Sequence, residues 1–515
     1  MSETVNNDQC VSDAAAGAAP TAAKALRPRP RPKIARRAAL LGLIAAVPYL
    51  AVAGRMQCAY EPSAYPYHVL AADALIHGQL HLRDETFRDH VRRVAPQFRQ
   101  SIEAQLRARG STLDANTIQE VVYLKAVHDL AVVGNRLYTY WPPLASVVMV
   151  PWVLLFGPDV SDRLVNALFG AANVGLAYWM FRSVDRSGLR RISEPCGVAL
   201  AVLLGFGTVH FFLSCGGRIW FAAQIATTTA LLLSIIALTA GPNSARTYAL
   251  CGALFGAAIL GRNTVLLAGL FYPIVIWLRH RNERADRLRR FAIRVAAFGL
   301  PVILAGVLNL AYNYARFGSI FETGQGIAVH TGGAPRFVED YDRYGTFNLV
   351  YLPTNLKYYL WNWRFPVENG RRMGDLEGNS MFLITPPLLY LFLVWRRWDG
   401  FTVALLCGAM PVVAALLLFR ATGFSQFGNR YLLDAMPFLL LLVATGMKGR
   451  LSFPAFALIV AAIAMNTFGT AAFYRGLIGS WADWFTPLPL AVAAAFAILV
   501  GAAIWIRRDP DPLPT

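Results

Sequence analysis

The chain has 515 residues, 56% of them hydrophobic and only 15% charged, with a mean hydropathy of +0.43. A soluble domain carries roughly 25% charged residues, so a large water-soluble core is excluded. Apolar runs of roughly 20 residues recur from end to end, each able to cross a ~30 Å hydrocarbon layer. The net charge of +18 would suggest nucleic acid in a soluble protein. Here most of the excess arginine sits in short turns at helix ends, where it sets orientation in the bilayer, and no nucleic-acid partner is expected.

The expected fold is all-α and polytopic. Residues 1–36 are rich in Ala, Pro and Arg and read as a disordered basic cytoplasmic tail, with Arg27 to Lys33 as an extended spacer. The first apolar run, about 38–54, starts too far along for a cleaved signal peptide. Lys33, Arg36 and Arg37 precede it and place its start inside. The polar stretch 55–142 then lies outside, and its own arginines do not count against this because long loops cross regardless of charge.

Loop one has structure of its own. Residues 66–80 place Val69, Leu70, Ala72, Leu75 and Ile76 on one helical face, with Asp73 and His77 at i, i+4 on another. Residues 85–108 read as a charged helix broken at Pro96. Both are expected to rest on the membrane surface. The segment 143–157 contains Pro151; as a span it would put the arginine-rich turn 182–191 outside, so it reads as an interfacial helix.

Spans are expected at about 160–181, 195–213, 219–240, 246–261, 263–279, 292–314, 380–395, 401–419, 431–447, 452–473 and 487–506. The second polar stretch, 316–379, also falls outside. With the first run this makes about twelve transmembrane helices in a domain over 37–507, both termini cytoplasmic and 508–515 a short inner tail.

Cysteines are scattered without metal-ligand spacing. Walker A, HExxH, GxSxG and paired CxxC motifs are absent. No metal site and no cofactor are expected, with a divalent cation left open. Loop-one acids such as Glu61, Asp73 and Asp129 could take a proton from an attacking hydroxyl or amine, although most acids in such a loop are solvated or paired with arginine. Arg218, Arg262 and Arg430 stand at outer helix ends. They could grip a lipid phosphate through the planar guanidinium fork, or simply snorkel to the interface. Asp434, one turn beyond Arg430, is either functional or half of an ion pair. Aromatic runs such as Tyr138 to Trp141 suit an interfacial belt, or stacking on a sugar.

Several stretches resemble a known family. Tyr67 to Leu80 looks like its first surface helix, and Tyr140-Trp141-Pro142-Pro143-Leu144 with Leu155-Phe156-Gly157 like its second. Asp162-Arg163-Leu164 and Gln426-Phe427-Gly428-Asn429-Arg430-Tyr431 with Pro437 match two further short motifs. The whole pattern resembles the GT-C glycosyltransferases, the polyprenyl-phosphate-sugar-dependent enzymes that include protein O-mannosyltransferases and the lipid A aminoarabinose transferase.

The resemblance implies a bacterial inner-membrane enzyme that moves a sugar from a polyprenyl-phosphate-linked donor to a periplasmic acceptor, with inversion. Its usual aspartate base falls in the stretch Tyr60 to Pro66, so the implied catalytic acid is Glu61, or Asp73. The donor phosphate would go to Arg430, Arg262 and Arg218, and the sugar or acceptor to His77, Asp129, Tyr140 and Asp434. The second acid of many members is missing from Cys215 to Trp220. Two alternatives stay open: a lipid-linked sugar flippase, which would need interrupted helices where these spans read as mostly clean, and a non-catalytic membrane scaffold.

Overall fold

The computed structural model describes residues 31–474, apart from 58–59, 109, 282, 284–285, 331–335, 364–366, 369–370, 373–376 and 424–425. The tail through residue 30, the expected span 487–506 and the tail 508–515 lie outside the described residues. The chain opens with α1 (Arg31–Gln57), then the loop-one helices α2 (Tyr67–Ile76), α3 (Asp84–Ala108) and α4 (Ala115–Ala126). A hairpin of β1 (Leu130–Val133) and β2 (Arg136–Thr139) leads into α5 (Leu144–Phe156). Next come α6 (Asp162–Arg186), α7 (Glu194–Phe206), α8 (Val209–Cys215), α9 (Ile219–Ala240), α10 (Ala245–Ile259), α11 (Phe271–His280) and α12 (Arg287–Phe317). Loop two holds α13 (Arg336–Tyr344) and α14 (Leu352–Leu356), and the described residues continue with α15 (Met381–Ile384), α16 (Gly400–Leu418), α17 (Met436–Gly446) and α18 (Phe453–Tyr474).

Among the described residues six helices are long and apolar enough to cross a membrane, within α1, α6, α9, α12, α16 and α18. The pair α7 and α8, bent by 52°, makes a seventh if it is one span. This is an integral membrane protein. Of the other expected spans among the described residues, 246–261 is a continuous but shorter helix, and three more are wound irregularly. Residues 263–270, 386–397 and 430–434 wind as tight 3-10 helix beside α11, α15 and α17. Local chemistry accounts for the breaks: Pro386 and Pro387 supply no amide proton, and Gly261 costs more backbone entropy in a helix than any other residue.

In lipid, helices associate through close packing, because the acyl chains are as apolar as the side chains. Accordingly α1 crosses α6 at Gly175, where even a methyl group would stand 2.2 Å from the Ala38 carbonyl oxygen. The central helix α9 has 83% of its apolar window buried, whereas α12 has 11%. Its Leu300, Ile303, Leu304 and Val307 are exposed and face what would be lipid.

Polar contacts define two faces. At one, Arg190 pairs with Asp399 at 2.7 Å, Arg182 and Arg37 both reach Glu194, and the Ser193 amide donates to Gly449. These are the arginine-bearing turns. At the opposite, loop-bearing face, buried Asp162 at the start of α6 accepts from the Ser63 amide (2.7 Å), the Ser63 hydroxyl (2.6 Å) and the Arg218 amide (2.8 Å). Both ends of α5 sit on this face, through Leu144 N–H to Leu260 and Ser161 to the Glu61 carbonyl. Asp162→Ala would strand two backbone N–H groups at about 1–3 kcal/mol each. We expect it to lower thermal unfolding in detergent by several degrees, and an unshifted melting curve would refute this role.

Two expectations for loop one are corrected. Helix α3 runs through Pro96 without a break. Helix α2 is buried on every side from Tyr67 to Ala74 rather than resting one face on a surface. It packs against α5 and α9, and His68 donates to or accepts from Ser146 at 2.9 Å. Burial holds the pKa of His68 down at about 3, so its ring is neutral.

Candidate functional site at the loop face

Loops one and two are sewn together. Residues 327–330 run antiparallel beside β1: Asp129 N–H donates to Val329 (2.7 Å), Val329 N–H to Leu130 (2.9 Å), and Ala131 bridges Ala328. The far end of loop two is tied to the end of α16, with Asn348 N–H to Leu418 and Arg420 N–H to Thr346. Arg316, at the end of α12, caps the Thr139 and Trp141 carbonyls beneath the hairpin.

This pairing builds a cluster around Asp129, at the turn between α4 and β1. Its φ of +63° lies in the left-handed region, which aspartate tolerates better than most residues. Its carboxylate is buried and accepts from Trp220 Nε1 at 2.7 Å and His330 Nδ1 at 2.8 Å, with His128 Nε2 at 3.6 Å. Burial alone would raise the Asp129 pKa, but the bond from His330, the charge of both histidines and the Trp220 bond together hold it below the usual carboxylate range. Burial pushes His128 down, partly offset by Asp129.

Helix α9 connects Asp129 to a basic centre. Trp220 and Gln224 are four residues apart and share one face, about 6 Å apart along the axis. Trp220 holds Asp129, while Gln224 donates to the Arg430 carbonyl (2.7 Å) and accepts from its guanidinium (3.3 Å). Arg430 is buried, donates twice to the Gly423 carbonyl, and lies close enough to Asp129 and Tyr140 to interact electrostatically. Tyr431 stacks beneath two cations at once, Arg430 at 4.5 Å and Arg262 at 5.0 Å. Arg262 is neutralised by Asp434 (2.7 Å), which also accepts from Thr264 (2.6 Å). Arg430 has no carboxylate within ion-pair distance among the described residues. The buried Tyr359 hydroxyl, beside the same residues, has no hydrogen-bond partner among the described residues.

The remaining sequence candidates stand elsewhere. Glu61 is exposed, and its carbonyl accepts from Ser161. Asp73 is buried with Arg83 at 3.2 Å and His77 at 3.5 Å, a separate ionic group on α2. Arg218 gives its amide to Asp162 and lays its guanidinium over Phe221. Tyr140 does reach the cluster, stacked on Trp141 and in a T-shaped contact with His330. Asp434 pairs with Arg262 rather than with its helical neighbour Arg430. Sequence reading missed His330, Gln224 and Tyr359 as site residues. Tyr359 lay within an aromatic run, but nothing local marks His330 as a partner of Asp129. Among the described residues no three His, Cys, Asp or Glu side chains gather to hold a metal ion.

The fold and site thus define a multi-spanning membrane protein with a buried, partly unneutralised arginine centre at its loop-bearing face. No family profile and no curated protein matches the sequence. Among solved structures the chain is similar to ArnT from Cupriavidus metallidurans bound to undecaprenyl phosphate, at 13% identity and a TM-score of 0.43, covering 91% of this chain and 76% of that one.

Proposed function

We propose that this protein is an integral-membrane glycosyltransferase of the GT-C type, moving a sugar from a polyprenyl-phosphate-linked donor to an acceptor at the outer face of a bacterial inner membrane. One observation carries the reading: a buried arginine with no carboxylate at ion-pair distance among the described residues, Arg430, beside an ion-paired one, Arg262, on a shared tyrosine ring. A buried cation calls for an anion, and two guanidinium forks suit a phosphate oxygen set. The phosphate is the leaving group, so a fixed cation there stabilises charge as it develops. Loop one contributes Asp129, held by Trp220 one helical turn along α9 from the Gln224 that bonds Arg430. Asp73, closed in its own ion pair, and Glu61, in solvent, are less well placed for proton transfer.

The test is binding of undecaprenyl phosphate and of undecaprenol to the purified protein in nanodiscs. We expect the phosphate to bind and the neutral alcohol not to. Equal affinity for both would remove the phosphate site and this function with it.

A second reading, a lipid-linked sugar flippase, is favoured by the broken helices at 206–209, 260–270 and 430–435, since transporters place such breaks at their binding sites. Proteoliposomes separate the two: movement of the lipid between leaflets without sugar transfer supports the flippase.

A further inference from the structure

We propose that His330, delivered by loop two, is the general base of the transfer, and that Asp129 is the positioning residue that orients it. This rests on the glycosyltransferase reading above. The carboxylate is fully occupied: one oxygen takes His330 Nδ1 at 2.8 Å, the other Trp220 Nε1 at 2.7 Å with His128 Nε2 nearby. It is 10% exposed, whereas the His330 side chain is 25% exposed. A buried acid bonded to the Nδ1 of a more accessible histidine favours the tautomer whose Nε2 takes a proton once an acceptor hydroxyl faces it. The groups facing the ring are Asp129, His128 and the Tyr140 ring, together with the Gln325 carbonyl 3.2 Å from Nε2.

The Gln325 carbonyl stands where the acceptor hydroxyl would meet Nε2.

The step balances as follows. The acceptor hydroxyl gives its proton to His330 Nε2, and its oxygen forms the new bond to the anomeric carbon. The bond from that carbon to the phosphate oxygen breaks, and its electron pair leaves on the lipid phosphate facing Arg430. The imidazolium, held by Asp129, later returns the proton to water.

The experiment uses the full chain in membranes of expressing cells, supplied with a panel of undecaprenyl-phosphate-linked hexoses, and reads release of undecaprenyl phosphate. Undecaprenyl phosphate affinity in nanodiscs is measured in parallel. His330→Gln should lower turnover by about 10²- to 10⁴-fold with lipid affinity unchanged. Imidazole added to His330→Ala should restore part of the loss, because it refills the site of the missing ring, and should restore nothing in Asp129→Asn. Turnover of His330→Gln within about twofold of wild type, or no rescue by imidazole, with lipid binding intact, overturns the dyad alone. A wild-type protein that binds no lipid phosphate overturns the glycosyltransferase reading, and the dyad falls with it.

Discussion

Replacing Arg430 with glutamine should cost the protein most of its affinity for undecaprenyl phosphate while leaving it folded. Arg430 makes its protein contacts to neutral groups: the Gly423 carbonyl, the Gln224 amide oxygen and the Tyr431 hydroxyl. Glutamine keeps some of these bonds and removes the charge. Truncating one partner of a buried, hydrogen-bonded charge pair costs about 2–5 kcal/mol, roughly 30- to several-thousand-fold in affinity. Titration of the variant in nanodiscs checks this, and an affinity within about threefold of wild type would mean that the phosphate does not meet Arg430. Arg430→Lys should recover only part of the loss, because an ammonium cannot present a bidentate fork.

The Arg262–Asp434 pair should behave in the opposite way, with stability as the larger effect. Asp434 has a side chain 1% exposed and holds Arg262 and Thr264 together. Asp434→Ala leaves a buried guanidinium uncompensated, a change worth about 3–5 kcal/mol of stability. Replacing both partners by Met and Leu should regain most of that, since apolar packing commonly matches a buried ion pair. Thermal unfolding in detergent distinguishes the cases. If the double variant is as unstable as the single one, the pair is not an isolated electrostatic unit.

The sequence speaks clearly where one property is repeated along the chain. Apolar runs locate the six long apolar helices from Lys33–Gly54 to Phe453–Ala471, because a span is a local feature whose length the bilayer dictates. Runs do not reveal winding. The tight turns at 263–270 and 430–434 have the composition of ordinary spans; they are held by the Gln224 bond to the Arg430 carbonyl and by the Arg262 and Thr264 side chains donating to Asp434. Arg262 and Arg430 were legible as cations at helix ends, but their different charge balance was not, since Asp434 chooses the arginine distant in sequence over the one four residues away. The Asp129–His330 contact was beyond reach for the same reason: it depends on residues 327–330 pairing with β1, and a four-residue extended segment carries almost no signal of its partner.

That pairing has a consequence for biogenesis. Asp129 precedes nearly all the spans and His330 follows most of them, so the two halves of the dyad are inserted at different times and by different stretches of chain. A molecule that threaded one intervening helix the wrong way round would leave its halves on opposite sides of the bilayer. Such a molecule could not form the Asp129–His330 contact, so that contact is a marker of correct insertion.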